Sequence, residues 1–118
     1  MIDSHCHLDH DPLYENLTDI LNRSKDSGVE KLLTISTNMD SYKKILQIIK
    51  MDSIINGSIG VHPHEVVNSS MTVEFMINEF NNNSKIIAIG ETGLDYYYEN
   101  SPKNIQIESF KLHIEASI

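Results

Sequence analysis

The chain has 118 residues, 40% of them hydrophobic and 22% charged, which suits one soluble globular domain over residues 1–118 and excludes a disordered or fibrous segment. Seventeen acidic residues against nine basic ones give a formal charge of −8. A broad basic surface for gripping nucleic acid is therefore excluded, and a bound divalent cation would have to supply local positive charge for any phosphate substrate. The single cysteine, Cys6, excludes an internal disulfide framework and suits a reducing compartment. No run is apolar and long enough for a membrane span, and the acidic N-terminus does not resemble a signal peptide, so the expected location is cytoplasmic with no membrane partner.

Strands and helices are predicted in strict alternation. A first strand covers residues 1–7. Leu17, Ile20 and Leu21 then recur at helical spacing, and Ser27-Gly28 supplies the stop, glycine being suited to the C′ position. Val29 to Ser36 (VEKLLTIS) forms a second strand. Tyr42, Ile45, Leu46, Ile48 and Ile49 trace an apolar stripe of period near 3.6, with Asp40 or Ser41 as N-cap. Ile54 to Val61 is a third strand, Val73 to Phe80 a third helix ending in Asn81-Asn82-Asn83, Lys85 to Gly90 (KIIAIG) a fourth strand, and a fourth helix starts near Lys103. This order means βαβ units, a parallel sheet and right-handed crossovers.

The residues competent for chemistry fall at the C-terminal ends of these strands, where ligands gather in parallel α/β proteins. In the run MIDSHCHLD, positions 3, 5, 7 and 9 share one face of an extended strand, so Asp3, His5, His7 and Asp9 point the same way. Two imidazoles on one face make half of a metal site, and a hydrogen-bonded pair on a polar edge is the alternative. Cys6 points to the opposite face, as a small packed hydrophobe. His62 and His64 (GVHPHE) follow the third strand, either lining a pocket or in a solvated loop shaped by Pro63. Glu91 (IGETGLD) follows the fourth, flanked by Gly90 and Gly93, which let backbone approach a ligand closely.

Taken together, MIDSHCHLD, GVHPHE and AIGETGLDYY resemble the TatD-type deoxyribonuclease family of metal-dependent hydrolases, and the resemblance runs along the whole chain. It implies a TIM-like (β/α) barrel of the amidohydrolase-like type that binds two divalent ions, magnesium, manganese or zinc, and hydrolyses phosphodiester bonds in DNA. On the matching positions His5 and His7 would bind one metal and Glu91 would bridge both. His62 and His64 would line the pocket, Asp95 and Tyr96 would sit close to the substrate, and Gln106 and Phe110 match the helix that follows.

The family's further metal ligands, two histidines and an aspartate from later strands, have no counterpart here. His113 falls in the fourth helix and is expected to be a surface or helix-packing residue of the outer layer; His10 is expected in a solvated loop. The expectation is therefore about four of eight βα units, half a barrel truncated in its fourth helix, holding at most one weakly bound ion. Two functions follow. One is a hydrolase completed by a second-half polypeptide or by self-association through open sheet edges. The other is a catalytically inactive remnant or a non-catalytic binding module.

Overall fold

A computed structural model of the protein, describing residues 1–118, contains four βα units in the predicted order. They are β1 (Ile2–Cys6), α1 (Leu17–Asp26), β2 (Lys31–Thr34), α2 (Met39–Ile48), β3 (Ile55–Ile59), α3 (Val73–Asn82), β4 (Ile86–Ile89) and α4 (Lys103–Ser117). The strands form one parallel sheet in the order β1-β2-β3-β4, the arrangement of half a (β/α) barrel. Single-turn helices at Tyr14–Asn16 and Val66–Asn68 lie in the connections after β1 and β3.

Each element follows from local chemistry. At the end of α1, Ser27 closes the last turn and Gly28 takes φ +81°, a left-handed conformation that costs glycine nothing. The cap of α2 is Asn38, neither Asp40 nor Ser41: its Oδ1 accepts the Ser41 N–H at 2.9 Å. The helix starts at Met39, three residues before the first residue of its apolar stripe, and Met39 itself packs against the core. Thr72 caps α3 in the same way through the Phe75 N–H.

The core lies between the sheet and its helices. Leu32, Ile55 and Ile86 are buried on one side of the sheet, together with Tyr42, Ile45, Ile48 and Ile49 from α2 and Met76 from α3. Gly57 keeps that packing tight, since a Cβ there would lie 3.1 Å from Ile86 and 3.3 Å from Ile49. Alternate residues such as Ile87 are exposed, as is Ile2 on the other edge strand. No helix is long and apolar enough to cross a membrane.

His113 takes the helix-packing alternative. It is 2% exposed; its Nε2 accepts the Val61 N–H at 3.0 Å, and its Nδ1–H donates to Ser109 O at 2.7 Å. The side chain is thus a buried tie between α4 and the end of β3, and the surface alternative is excluded. It shares a stripe with Gln106, seven residues earlier and fully buried.

Beyond the regular strands the chain stays hydrogen-bonded. Ile35 N–H donates to Cys6 O, His62 N–H to Thr37 O, Gly90 N–H to Ile59 O and Glu91 N–H to Ser36 O, at 2.7–2.9 Å. Beneath them the buried hydroxyls of Ser36 and Ser58 donate to Gly60 O (2.9 Å) and Gly90 O (2.6 Å), and Ser58 Oγ accepts the Ser36 N–H (3.0 Å). At Gly60 a Cβ would lie 2.6 Å from Gly90 Cα and 2.7 Å from Gly90 O, both backbone atoms. Gly60→Ala should therefore cost at least about 2 kcal/mol, an overpacking penalty with no flexible neighbour to absorb it, measured as a lowered urea midpoint.

Burial lowers the pKa of His113, only partly offset by its bond to Ser109 O. The unfolded ring titrates near about 6.5, so the neutral His113 contributes stability above that pH, and the contribution is lost as pH falls towards the lower folded value. Thermal melts between pH 5 and 8 should show the protein losing more stability on acidification than His113→Gln does.

Candidate metal centre

β1 ends at Cys6, and its register against β2 breaks between Asp3 and Cys6, so strict alternation does not carry the four polar residues to one place. Asp3 turns back, its Oδ1 accepting the His5 N–H at 3.1 Å. Asp9 is buried in the turn after the strand, 2% exposed. His5 and His7 do converge: their Nε2 atoms are 3.3 Å apart, with the rings edge to face.

Glu91 completes the group. Its Oε2 lies 3.8 Å from His5 Nε2 and 3.9 Å from His7 Nε2, placed by the Glu91 N–H bond to Ser36 O. A triangle with sides 3.3, 3.8 and 3.9 Å has its centre about 2.1 Å from each corner, within the about 2.0–2.2 Å bonds that imidazole and carboxylate make to zinc. The donor set of two imidazoles and a carboxylate thus fits one divalent ion. His7 Nδ1 lies 3.2 Å from Ile35 O; donation to that carbonyl leaves the Nε2 lone pair free for a cation and fixes the ring.

The other oxygen of Glu91, Oε1, faces His62 Nε2 at 3.8 Å. His62 Nδ1 accepts the His64 N–H at 3.1 Å, so in the neutral ring Nε2 carries the proton and points at the carboxylate as a donor. Burial holds the His62 pKa below its ordinary value, ahead of the opposing pull of Glu91, which favours that neutral form. His64 packs on His62 with ring centroids 4.5 Å apart. Its Nε2 is 2.6 Å from Asp95 Oδ2.

Asp95 is fixed from all sides. Desolvation pushes its pKa up, but hydrogen bonds from His64 and from the Tyr98 and Tyr97 N–H groups outweigh it, and the carboxyl is held below its usual value. Gln106 grips the Asp95 backbone, its Oε1 accepting the N–H at 2.7 Å and its Nε2 donating to the carbonyl at 3.0 Å; the same Nε2 donates to Ser101 O at 2.8 Å. Ser101 in turn donates to His64 O at 3.1 Å. Tyr96 sits at the margin, 42% exposed, with Lys103 Nζ 5.2 Å from its ring centroid.

The geometry therefore brings His5, His7 and Glu91 into one cluster and sets His62, His64 and Asp95 beside it, with Tyr96 on the rim. His10 lies exposed in a loop as expected, and a turn closed by its N–H to His7 O stacks its ring on His7 at 5.0 Å and puts its Nε2 3.3 Å from Asp9 Oδ2. Cys6 packs inward and its Sγ–H donates to Leu33 O, with burial, then Asp3 and Asp9, raising its pKa to about 12. Positioning by Ser36, Ser58 and Ser101 was not predicted from the sequence. A serine breaking each otherwise apolar strand end (TIS, GSIG) is the signal that was there to find, while Ser101 had none.

The TatD related DNase family model matches residues 2–118. An uncharacterized metal-dependent hydrolase of Buchnera aphidicola subsp. Baizongia pistaciae is 39% identical over 121 aligned residues, which take in all of this chain and 45% of that protein. Deoxyribonuclease TATDN3 of Homo sapiens is 28% identical over 81% of the chain and 38% of its own length. Among solved structures, the TatD homologue YJJV of Escherichia coli superposes with a TM-score of 0.88 at 23% identity, covering 99% of this chain and 46% of that one, a likeness of fold. A TatD family hydrolase of Entamoeba histolytica gives 0.82 at 25% identity. The chain spans about half the length of the relatives it matches. With its four βα units and its rim of histidines and glutamate, it belongs to the TatD family of metal-dependent hydrolases.

Proposed function

We propose that the chain supplies the His5, His7 and Glu91 part of a divalent-metal site that hydrolyses phosphodiester bonds in DNA. The observation that carries this reading is the division of the Glu91 carboxylate, with Oε2 towards the His5 and His7 pair and Oε1 towards His62. A carboxylate shared in that way suits a bridging role. The deoxyribonuclease named among its relatives supports DNA as the substrate.

His5 and His7 would hold one ion through Nε2, and Glu91 would reach it through Oε2. Divalent magnesium, manganese or zinc, when bound, supplies Lewis-acid polarisation of a phosphoryl oxygen and acidifies a water towards neutrality. The chain's own groups do the rest. His7 is kept in the ligating tautomer by Ile35 O. His62 presents an Nε2–H donor beside the same carboxylate, and this donor would stabilise a phosphoryl oxygen as charge develops there. Asp95 holds the His64 ring in one orientation.

A second ion needs ligands beyond these three, and the relatives extend well past the matched region. We propose that a second-half polypeptide provides them by pairing with the open edges of β1 and β4, where backbone groups otherwise face water. The purified chain should bind about one manganese ion weakly and cleave DNA slowly or not at all. It should gain cleavage when mixed with the unmatched remainder of the Buchnera relative. Strong manganese-dependent cleavage by the monomeric chain, abolished by His5→Ala, would refute the need for a partner; no cleavage by the mixture would favour a binding module without turnover.

Two substitutions separate the roles. Since disturbing groups that merely orient metal ligands costs about 10–100-fold in affinity, Glu91→Gln should weaken manganese binding by more than about 100-fold in calorimetry. In the completed enzyme His62→Ala should keep most of the bound metal and lose about 100-fold in turnover, the size of one transition-state donor. Loss of all metal in His62→Ala would make it a ligand instead.

A further inference from the structure

Two rings beside the site lack any role so far. Tyr97 is 87% exposed and Tyr98 66%, yet their backbone is fixed, since both N–H groups donate to Asp95 Oδ1 at 3.1 and 3.3 Å and Gln106 clamps Asp95 in turn. Rings that are free on a rigid loop are prepared for a ligand, because little ordering remains to be done on binding.

The surroundings narrow what that ligand is. Tyr98 packs edge to face on His64 at 5.7 Å, His64 on His62 at 4.5 Å, and His62 Nε2 lies 3.8 Å from Glu91, so the rings continue directly from the candidate metal centre. The cation beside this loop, Lys103 at the start of α4, is spoken for: its Nζ pairs with Glu99 at 3.0 Å and covers Tyr96. With a chain charge of −8, phosphates receive no general electrostatic grip, and affinity has to come from ions at the centre and from ring faces. Tyr97 and Tyr98 meet each other edge to face at 4.9 Å, which leaves open faces for a flat partner.

We propose that Tyr97 and Tyr98 form a stacking platform for an unpaired base of the nucleic acid whose phosphodiester reaches the metal centre. This rests on the phosphodiesterase reading above. Each base stacked on an aromatic ring contributes enough to change affinity by about tenfold.

The test is fluorescence anisotropy of the full chain with manganese, using labelled hexathymidylate and an abasic hexamer with the same phosphate backbone. Hexathymidylate should bind about tenfold more tightly than the abasic strand. Tyr97→Ala should remove that preference and leave abasic binding unchanged, while Tyr97→Phe, which keeps the ring, should retain it; exposure of Tyr97 makes both variants compatible with the fold. Equal, manganese-dependent binding of the two strands would overturn the platform and leave the phosphodiesterase reading standing. An unchanged preference in Tyr97→Ala would overturn it as well, as would loss of the preference when the second-half polypeptide is added, which would make that polypeptide the true occupant. Absence of binding to either strand would overturn the platform, and the phosphodiesterase reading would then fall only if the mixture with the second-half polypeptide also failed to cleave.

Discussion

The backbones of Gly60 and Gly90 approach so closely that a methyl group at Gly60 would collide with main-chain atoms, and the geometry of the rim depends on that approach. It lets Gly90 and Glu91 lean across the end of β3, so that the Glu91 N–H reaches Ser36 O at the end of β2. Glu91 is thereby carried over its neighbouring strand towards β1. A side chain at Gly60 would push Gly90 away and strain the bond that holds Glu91 over its neighbour.

Around that contact the protein spends its buried polar groups on orientation. Ser36 and Ser58 satisfy the carbonyls exposed where the ladder ends, Ile35 O fixes the His7 tautomer, His113 ties Val61 to α4, and Gln106 grips Asp95. Few of these groups meet solvent, so each bond acts in a low-dielectric setting where leaving it unmade costs most. The groups that would meet metal or substrate, by contrast, stay partly open, with the His5 side chain 54% exposed.

Much of this was legible in the sequence, for identifiable reasons. Periodicity marks the first three helices by their apolar stripes and the strands by short apolar runs, while α4 has no such stripe and buries the polar Gln106 and His113 instead. The placement of His5, His7, His62, His64 and Glu91 followed from the rule that parallel strands present chemistry at their C-terminal ends. The internal arrangement of the rim was less accessible. Alternation put Asp3 and Asp9 on the face of the metal-competent pair, but Asp3 turns back onto the His5 N–H, and Asp9, beyond the end of the strand, sits with His7 and His10 instead of with His5 and Glu91. For His113 the sequence leaves surface and helix-packing roles open, because a histidine on a helix gives no sign of a backbone N–H waiting 52 residues earlier. Long-range bonds from side chain to backbone leave no periodic trace.

Cys6 stands between two imidazoles placed to ligate metal, a position where a thiolate would capture copper or zinc and react with peroxide. Burial and the carboxylates of Asp3 and Asp9 raise its pKa to about 12, so at neutral pH the sulfur stays a thiol, a poor ligand and a poor nucleophile. The donors at the centre are thus imidazole and carboxylate alone. The same inward turn onto Leu33 O disfavours cross-linking of two copies through this one sulfur.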